Sequence, residues 1–190
     1  MGSVDMRKLL GVYNCEKEAY EKYCQYAHST GFSVRKEHHH FWPNTRLIKS
    51  KDFVCSKAGF KKENESGTKL KYRRSSTRTG CPAMIRFSVS KDGLWSVYKS
   101  VESHNHELAR PDDQYLLRSA RSISVDNAAV LKSMTEAGIR TVDAFMYLSD
   151  EVGGVANLGF TKRDAYNHIQ KERRAKFESG DTNSLIKLFK

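Results

Sequence analysis

Four residues of this 190-residue chain have side chains that bind transition metals and stand in an order that lets them meet: Cys55, Cys81, His104 and His106. A structural zinc ion takes four Cys or His ligands in a tetrahedron. The pattern is C-x25-C-x22-H-x-H. Residues two apart on an extended chain point the same way, so both imidazoles can reach one ion. The long spacers rule out a local knuckle, so the ligands have to be gathered by a sheet. An ion at that point would staple a sheet whose apolar face is too thin to hold alone. With four protein ligands no coordination position remains for an activated water, so the metal's role would be structural. Two buried free thiols and two surface histidines fit the same spacing, since free Cys is commonly a core residue. Spacing alone leaves both readings open.

The flanking sequence supplies the elements. Residues 14–30 predict a helix, with Asn14 as N-cap, Ala19, Tyr20, Tyr23, Cys24 and Ala27 on one face, and Gly31 as the stop. The period then changes to two. Gly31–Glu37 puts Phe32 and Val34 together, and Lys51–Ser56 aligns Phe53 with Cys55. Ala83–Ser90 aligns Ile85, Phe87 and Val89, and Leu94–Val101 aligns Trp95 and Val97. Lys91-Asp92-Gly93 joins the last two as a hairpin. Residues 61–80, polar and basic, read as a loop. After Leu108 the stretch ARPDDQ reads as a linker, and the remainder is helical. Ser124 or Asp126, Thr141 and Asp181 are candidate caps, and Thr161 with Asp164 forms a capping-box pattern for a helix ending near Glu178. The expected class is α+β: a small antiparallel four-stranded zinc-bound sheet preceded by one helix and followed by an α-helical extension. Its expected parts are a tail at 1–11, a zinc-stapled domain at 12–108, a linker at 109–123 and the extension at 124–190.

Charge narrows the partner. Fifteen of the 33 Lys and Arg lie between Gly31 and Lys91, against four of the 22 Asp and Glu, so the whole net charge of +11 sits in that third of the chain. A concentrated excess points to a polyanion, whereas a merely solvated basic face is the plainer account. No apolar run approaches the ~18 residues needed to span a bilayer, and the N-terminus lacks a secretory apolar core. The expectation is an intracellular chain whose cysteines form no disulfide framework.

GFSVRK, DFVCSKAG, RTGCPAMIRF, DGLWSV and SHNHEL, in this order, resemble the zinc-binding DNA-recognition domain of the plant far-red-impaired-response family. The earlier CEKEAYEKYCQYAHSTGF and the later LGFTKRDAYNHIQKERR with SGDTNSLIKLF are similar to that family too. Its members are transcription factors derived from Mutator-like transposases, with a domain similar to the WRKY and glial-cells-missing zinc domains. The resemblance implies one structural zinc on Cys55, Cys81, His104 and His106, a nuclear location, and double-stranded DNA as partner. In WRKY relatives the strand ahead of the first ligand enters the major groove. That implies Arg35 and Lys36 as leading contacts, with Lys49, Lys51, Arg73, Arg74 and Arg78 on phosphates. The WRKYGQK heptad is absent, so WRKY base preference does not carry over.

The remaining features have plain readings. His38-His39-His40 reads as a polar strand end, Cys15, Cys24 and Trp95 as packing residues, and Trp42 before Pro43 as a partly exposed loop residue. The run at 171–176 reads as a solvated helix face. Acidic residues after Leu108 are scattered, with no assembled carboxylate triad. The expectation is therefore a short member or fragment with no catalysis, no membrane and no small-molecule substrate. A protein-interaction module that pairs with longer relatives is the rival reading.

Overall fold

The computed structural model describes residues 9–61 and 76–188, with side chains through Lys176. The chain divides into two compact units, Met1–Ala120 and Arg121–Lys190.

The first unit is one helix on one antiparallel sheet. Helix α1 (Glu16–Thr30) begins after Cys15, and it is Glu18 that reaches back to accept from the Asn14 backbone N–H at 2.9 Å. The expected Asn14 cap is thus replaced by a carboxylate from the first turn, which also suits the helix dipole. Gly31, at φ 102°, ends the helix: the Phe32 N–H donates to the Ala27 carbonyl and the Gly31 N–H to the His28 carbonyl, the double closure of a Schellman motif.

The sheet has five strands rather than the expected four. Its order is β1 (Val12–Tyr13), β5 (Trp95–Val101), β4 (Met84–Val89), β3 (Ile48–Cys55), β2 (Val34–Phe41). The added strand β1 is two residues long, too short for any alternation to show in the sequence. It pairs with the start of β5 through Val12 and Ser96. The alternate apolar residues meet α1. Tyr20 packs edge-on to Phe53 at 5.1 Å, and the chain of rings continues from Phe53 to Phe87 at 5.6 Å and Trp95 at 6.2 Å. Phe53, Ile85 and Phe87 are fully buried, each contributing roughly 1.5–3 kcal/mol of transfer free energy. The opposite face carries Asp52 and Arg86, directly across β3 and β4, joined by two parallel bonds of 2.7 Å. Two irregularities bend the β2–β3 ladder. One falls between Lys36 and His39 and the other leaves Lys49 as the extra residue between Ser50 and Ile48.

The stretch 109–123, expected as a linker, is largely built onto this unit. It contains two 3-10 turns, Pro111–Leu116 and Arg118–Ala120. The Ser119 hydroxyl bonds to His28 Nε2, the Ser33 hydroxyl and the Val34 backbone N–H at 2.9–3.1 Å. Hydroxyl bonds of this kind leave no apolar period in the sequence.

The second unit packs α2 (Val125–Glu136), α3 (Thr141–Glu151) and α4 (Lys162–Leu188) around Leu131, Phe145, Leu148, Phe160 and Ile169. Ser124 caps α2 by accepting from Asn127 N, and the Thr161–Asp164 box closes at the start of α4. Thr141 is the first helical residue of α3 and buried, with Arg140 at the cap position. Helix α4 runs on through Gly180 and Asp181, where two helices had been expected. No helix is long and apolar enough to cross a membrane among the described residues.

Candidate metal centre

The end of β3, the approach to β4 and the segment leaving β5 converge at one end of the sheet. Cys55 is the last residue of β3, Cys81 precedes β4, and His104 and His106 follow β5. Cys55 Sγ lies 3.2 Å from His106 Nε2, Cys81 Sγ lies 3.3 Å from His104 Nδ1, and the two ring nitrogens are 3.2 Å apart. All four ligand atoms fall within 4.8 Å of one another, and among the described residues this is the one such group. For a tetrahedral ion with two sulfur and two nitrogen ligands at zinc bond lengths, the edges are about 3.3–3.8 Å. Three of the six edges, at 3.2–3.3 Å, lie at the short end of that range, and the rest are no longer than 4.8 Å.

The frame that holds it is polar and local. The backbone N–H groups of Thr79 and Cys81 both donate to the Lys57 carbonyl, two residues beyond Cys55. Asn105, between the histidines, donates to the Thr79 carbonyl and accepts from the Thr79 hydroxyl, both at 2.8 Å. The H-N-H segment is thereby fastened to the approach to Cys81, and Cys81 to the exit from Cys55. Gly80, at φ 71°, lies so close under the Phe60 ring that a Cβ would stand 2.2 Å from it. Ala109 donates to the Gly31 carbonyl at 2.7 Å and fixes the chain just after His106. None of Thr79, Asn105 or Lys57 was singled out from sequence. The one available signal was a carboxamide flanked by two ligand histidines.

Burial sets the protonation states. Cys55 and Cys81 are buried. Desolvation pushes the Cys55 thiol up to about 11, with Cys81 beside it adding in the same direction. Desolvation likewise lowers His104, helped by His106. His106 Nδ1 is 2.8 Å from the Glu107 carbonyl, which fixes that nitrogen as the donor and turns the Nε2 lone pair inward. Two imidazoles and two cysteine thiols, with burial holding His104 neutral and Cys55 protonated until a cation arrives, are the donor set of a soft divalent metal. The Tyr23 hydroxyl, fully buried, has no hydrogen-bond partner, and burial, then Tyr26, Cys55 and Cys81, raises its pKa. The cluster can therefore hold a metal ion, and its surroundings fit one.

The basic residues expected at DNA are spread over both faces of the unit. Lys36 pairs with Glu16 of α1 at 2.7 Å and lies over the Tyr20 ring, and Lys51 Nζ is 3.9 Å from the same carboxylate. Arg35, on β2, pairs with Glu37 at 2.5 Å and donates to the Ala58 carbonyl. Lys49 and Arg78 are exposed. Arg73 and Arg74 lie outside the described residues. The three histidines 38–40 sit on the outer half of β2, where His39 and His40 pair with Lys51 and Ser50.

A helix-backed antiparallel sheet with a basic edge and a Cys2His2 cluster able to hold a metal ion defines a small α+β domain with a candidate metal centre. Residues 21–110 match the family model of the FAR1 DNA-binding domain. Protein FAR1-RELATED SEQUENCE 5 of Arabidopsis thaliana is 34% identical over 177 residues, 92% of this chain and 22% of that protein. Protein FAR-RED IMPAIRED RESPONSE 1 of the same plant is 29% identical over 199 residues, 100% of this chain and 23% of that protein. The chain spans less than a quarter of the length of these relatives. No solved structure matches significantly.

Proposed function

We propose that this chain is a nuclear, non-enzymatic transcriptional regulator that binds double-stranded DNA through a sheet stapled by one zinc ion. The observation that carries the reading is the convergence of Cys55, Cys81, His104 and His106 within 4.8 Å, in a region that matches the FAR1 DNA-binding family. Zinc is the metal favoured by two thiolates and two imidazoles in a closed, buried set. Its order of ligands, two sheet cysteines and then H-x-H, is of the WRKY and glial-cells-missing kind.

The surface assigned to the duplex starts from β2, the edge strand of the sheet. An edge strand can enter a groove because no neighbouring strand blocks it. Arg35 is the base-reading candidate, since a guanidinium can bond guanine bidentately, while Lys36, Lys49, Lys51, Arg78, Arg73 and Arg74 take phosphates. Lys36 and Lys51 begin paired with Glu16, so DNA exchanges a carboxylate for a phosphate at each, while Arg35 exchanges Glu37 for a base edge. That exchange favours sequences in which the geometry is good.

Selection from randomised oligonucleotides, with and without chelator, tests the reading. A motif that emerges only with metal present is the expected result. Recovery of no motif, or of the same motif after chelation, would reject it.

A further inference from the structure

The cations of the first unit fall into two sets. Arg35, Lys36, Lys51 and Arg86 each lie against Glu37, Glu16 or Asp52. At the other end of the β2–β3 hairpin, Arg46 and Lys49 have no carboxylate partner, and neither does Lys91 on the β4–β5 turn, among the described residues. This end is distal to the metal: from Lys49 to Cys55 the strand covers about 20 Å at roughly 3.3 Å per residue.

Trp42 organises the second set. Its ring lies 5.1 Å from Lys49 Nζ and 5.7 Å from Lys91 Nζ. Lys49 is the extra residue of the bulge in β3, a device that re-aims a side chain. The turn beneath is closed by Trp42 N–H donating to the Leu47 carbonyl, with Asn44 at φ 56° and Thr45 bonded back to the Trp42 carbonyl. The indole Nε1–H has no acceptor. Two ammonium groups held on one aromatic ring have lost part of their rotamer freedom before a ligand arrives. They repel each other, and Asp92 is the one carboxylate on their turn. Two close cations with a single nearby carboxylate leave the tip electrostatically suited to an outside anion.

We propose that this metal-distal tip, formed by Trp42, Arg46, Lys49 and Lys91, docks on the phosphate backbone of duplex DNA. The proposal rests on the DNA-binding reading above and gives it a second, sequence-independent anchor. The tip sets how strongly the domain holds any duplex, while β2 sets which sequence it prefers.

The test is duplex binding by the full zinc-loaded chain, followed by fluorescence anisotropy across a salt series. The variant R46A/K49A/K91A is compared with wild type and with K17A, whose lysine lies on the outer face of α1. Each phosphate contact contributes about 0.9 to the slope of log K against log salt, so the triple variant should lose roughly 2–3 from it. Its metal content and thermal melt should match wild type, and K17A should leave the slope unchanged. A wild-type slope in the triple variant overturns the tip while leaving DNA binding intact. If wild type binds no duplex at any salt, the DNA-binding reading falls and the tip falls with it.

Discussion

His104 turns Nδ1, and His106 turns Nε2, toward the same point, with the two nitrogens 3.2 Å apart. Two residues of one short segment, bent at Asn105 and His106, thus use different ring nitrogens. The Glu107 carbonyl fixes the tautomer of His106, and the Phe32 ring, 4.4 Å from His104, limits the other imidazole to one side. This asymmetry lets both reach the position that Cys55 and Cys81 approach from the sheet.

Three cysteines of the first unit are buried, and only two should matter to metal. Cys55→Ser and Cys81→Ser should each lose bound zinc. Cys24→Ala, under α1, should keep one equivalent and cost about 1 kcal/mol or a little more in stability. Metal analysis by mass spectrometry, with a chemical melt of each variant, checks this. Loss of zinc from Cys24→Ala would break the assignment.

Tyr23→Phe removes only the orphaned hydroxyl. If that O–H serves the ligand thiolates, the variant should fold, keep its melt in excess zinc, and bind zinc about 10-fold more weakly. Competition with a chromophoric chelator measures it. Unchanged affinity with raised stability would show that the hydroxyl is merely an unsatisfied group.

Asn105 makes no contact with a metal in this account. It fastens H-N-H to Thr79, so Asn105→Ala should loosen both histidines at once. Zinc affinity should fall by about 10-fold or more, with part recovered by Asn105→Ser only if a hydroxyl can reach the Thr79 carbonyl. Loss of global stability with unaltered zinc affinity would argue for a purely structural clamp.

Burial holds the His28 imidazole below its ordinary value, with Nε2 2.9 Å from the Ser119 hydroxyl. A histidine depressed in the folded state contributes its full stability above its unfolded pKa of about 6.5. That contribution is lost as pH falls from there toward the folded value, because the unfolded chain takes the proton first. The stability difference between wild type and His28→Gln should therefore shrink on acidification through that window. A difference independent of pH would contradict it.

Much of this arrangement could be read directly. Phe53, Ile85, Phe87 and Trp95 alternate along their strands, Gly31 marks the end of α1, and the four ligands stand at strand ends where a fold could gather them. What could not be read is instructive in each case. Val12 and Tyr13 join the sheet by backbone pairing, which carries no side-chain period. Ser119 docks through hydroxyl bonds that look like loop composition. Lys36 and Lys51 read as free cations because their partner, Glu16, lies on another element. Ion pairing across elements leaves no local trace in a sequence. The gathering of charge at Trp42 escaped for the same reason, since it joins two different turns.

The central claim is that one bound metal makes the sheet rigid enough to hold a duplex. The direct measurement is anisotropy of a labelled selected duplex against the metal-loaded chain, the same chain after chelation, and the chelated chain refilled with zinc. Binding should vanish on chelation, together with the ordered sheet signal in circular dichroism, and return with one equivalent of zinc. Full-strength binding by a chain shown to be free of metal would contradict the account.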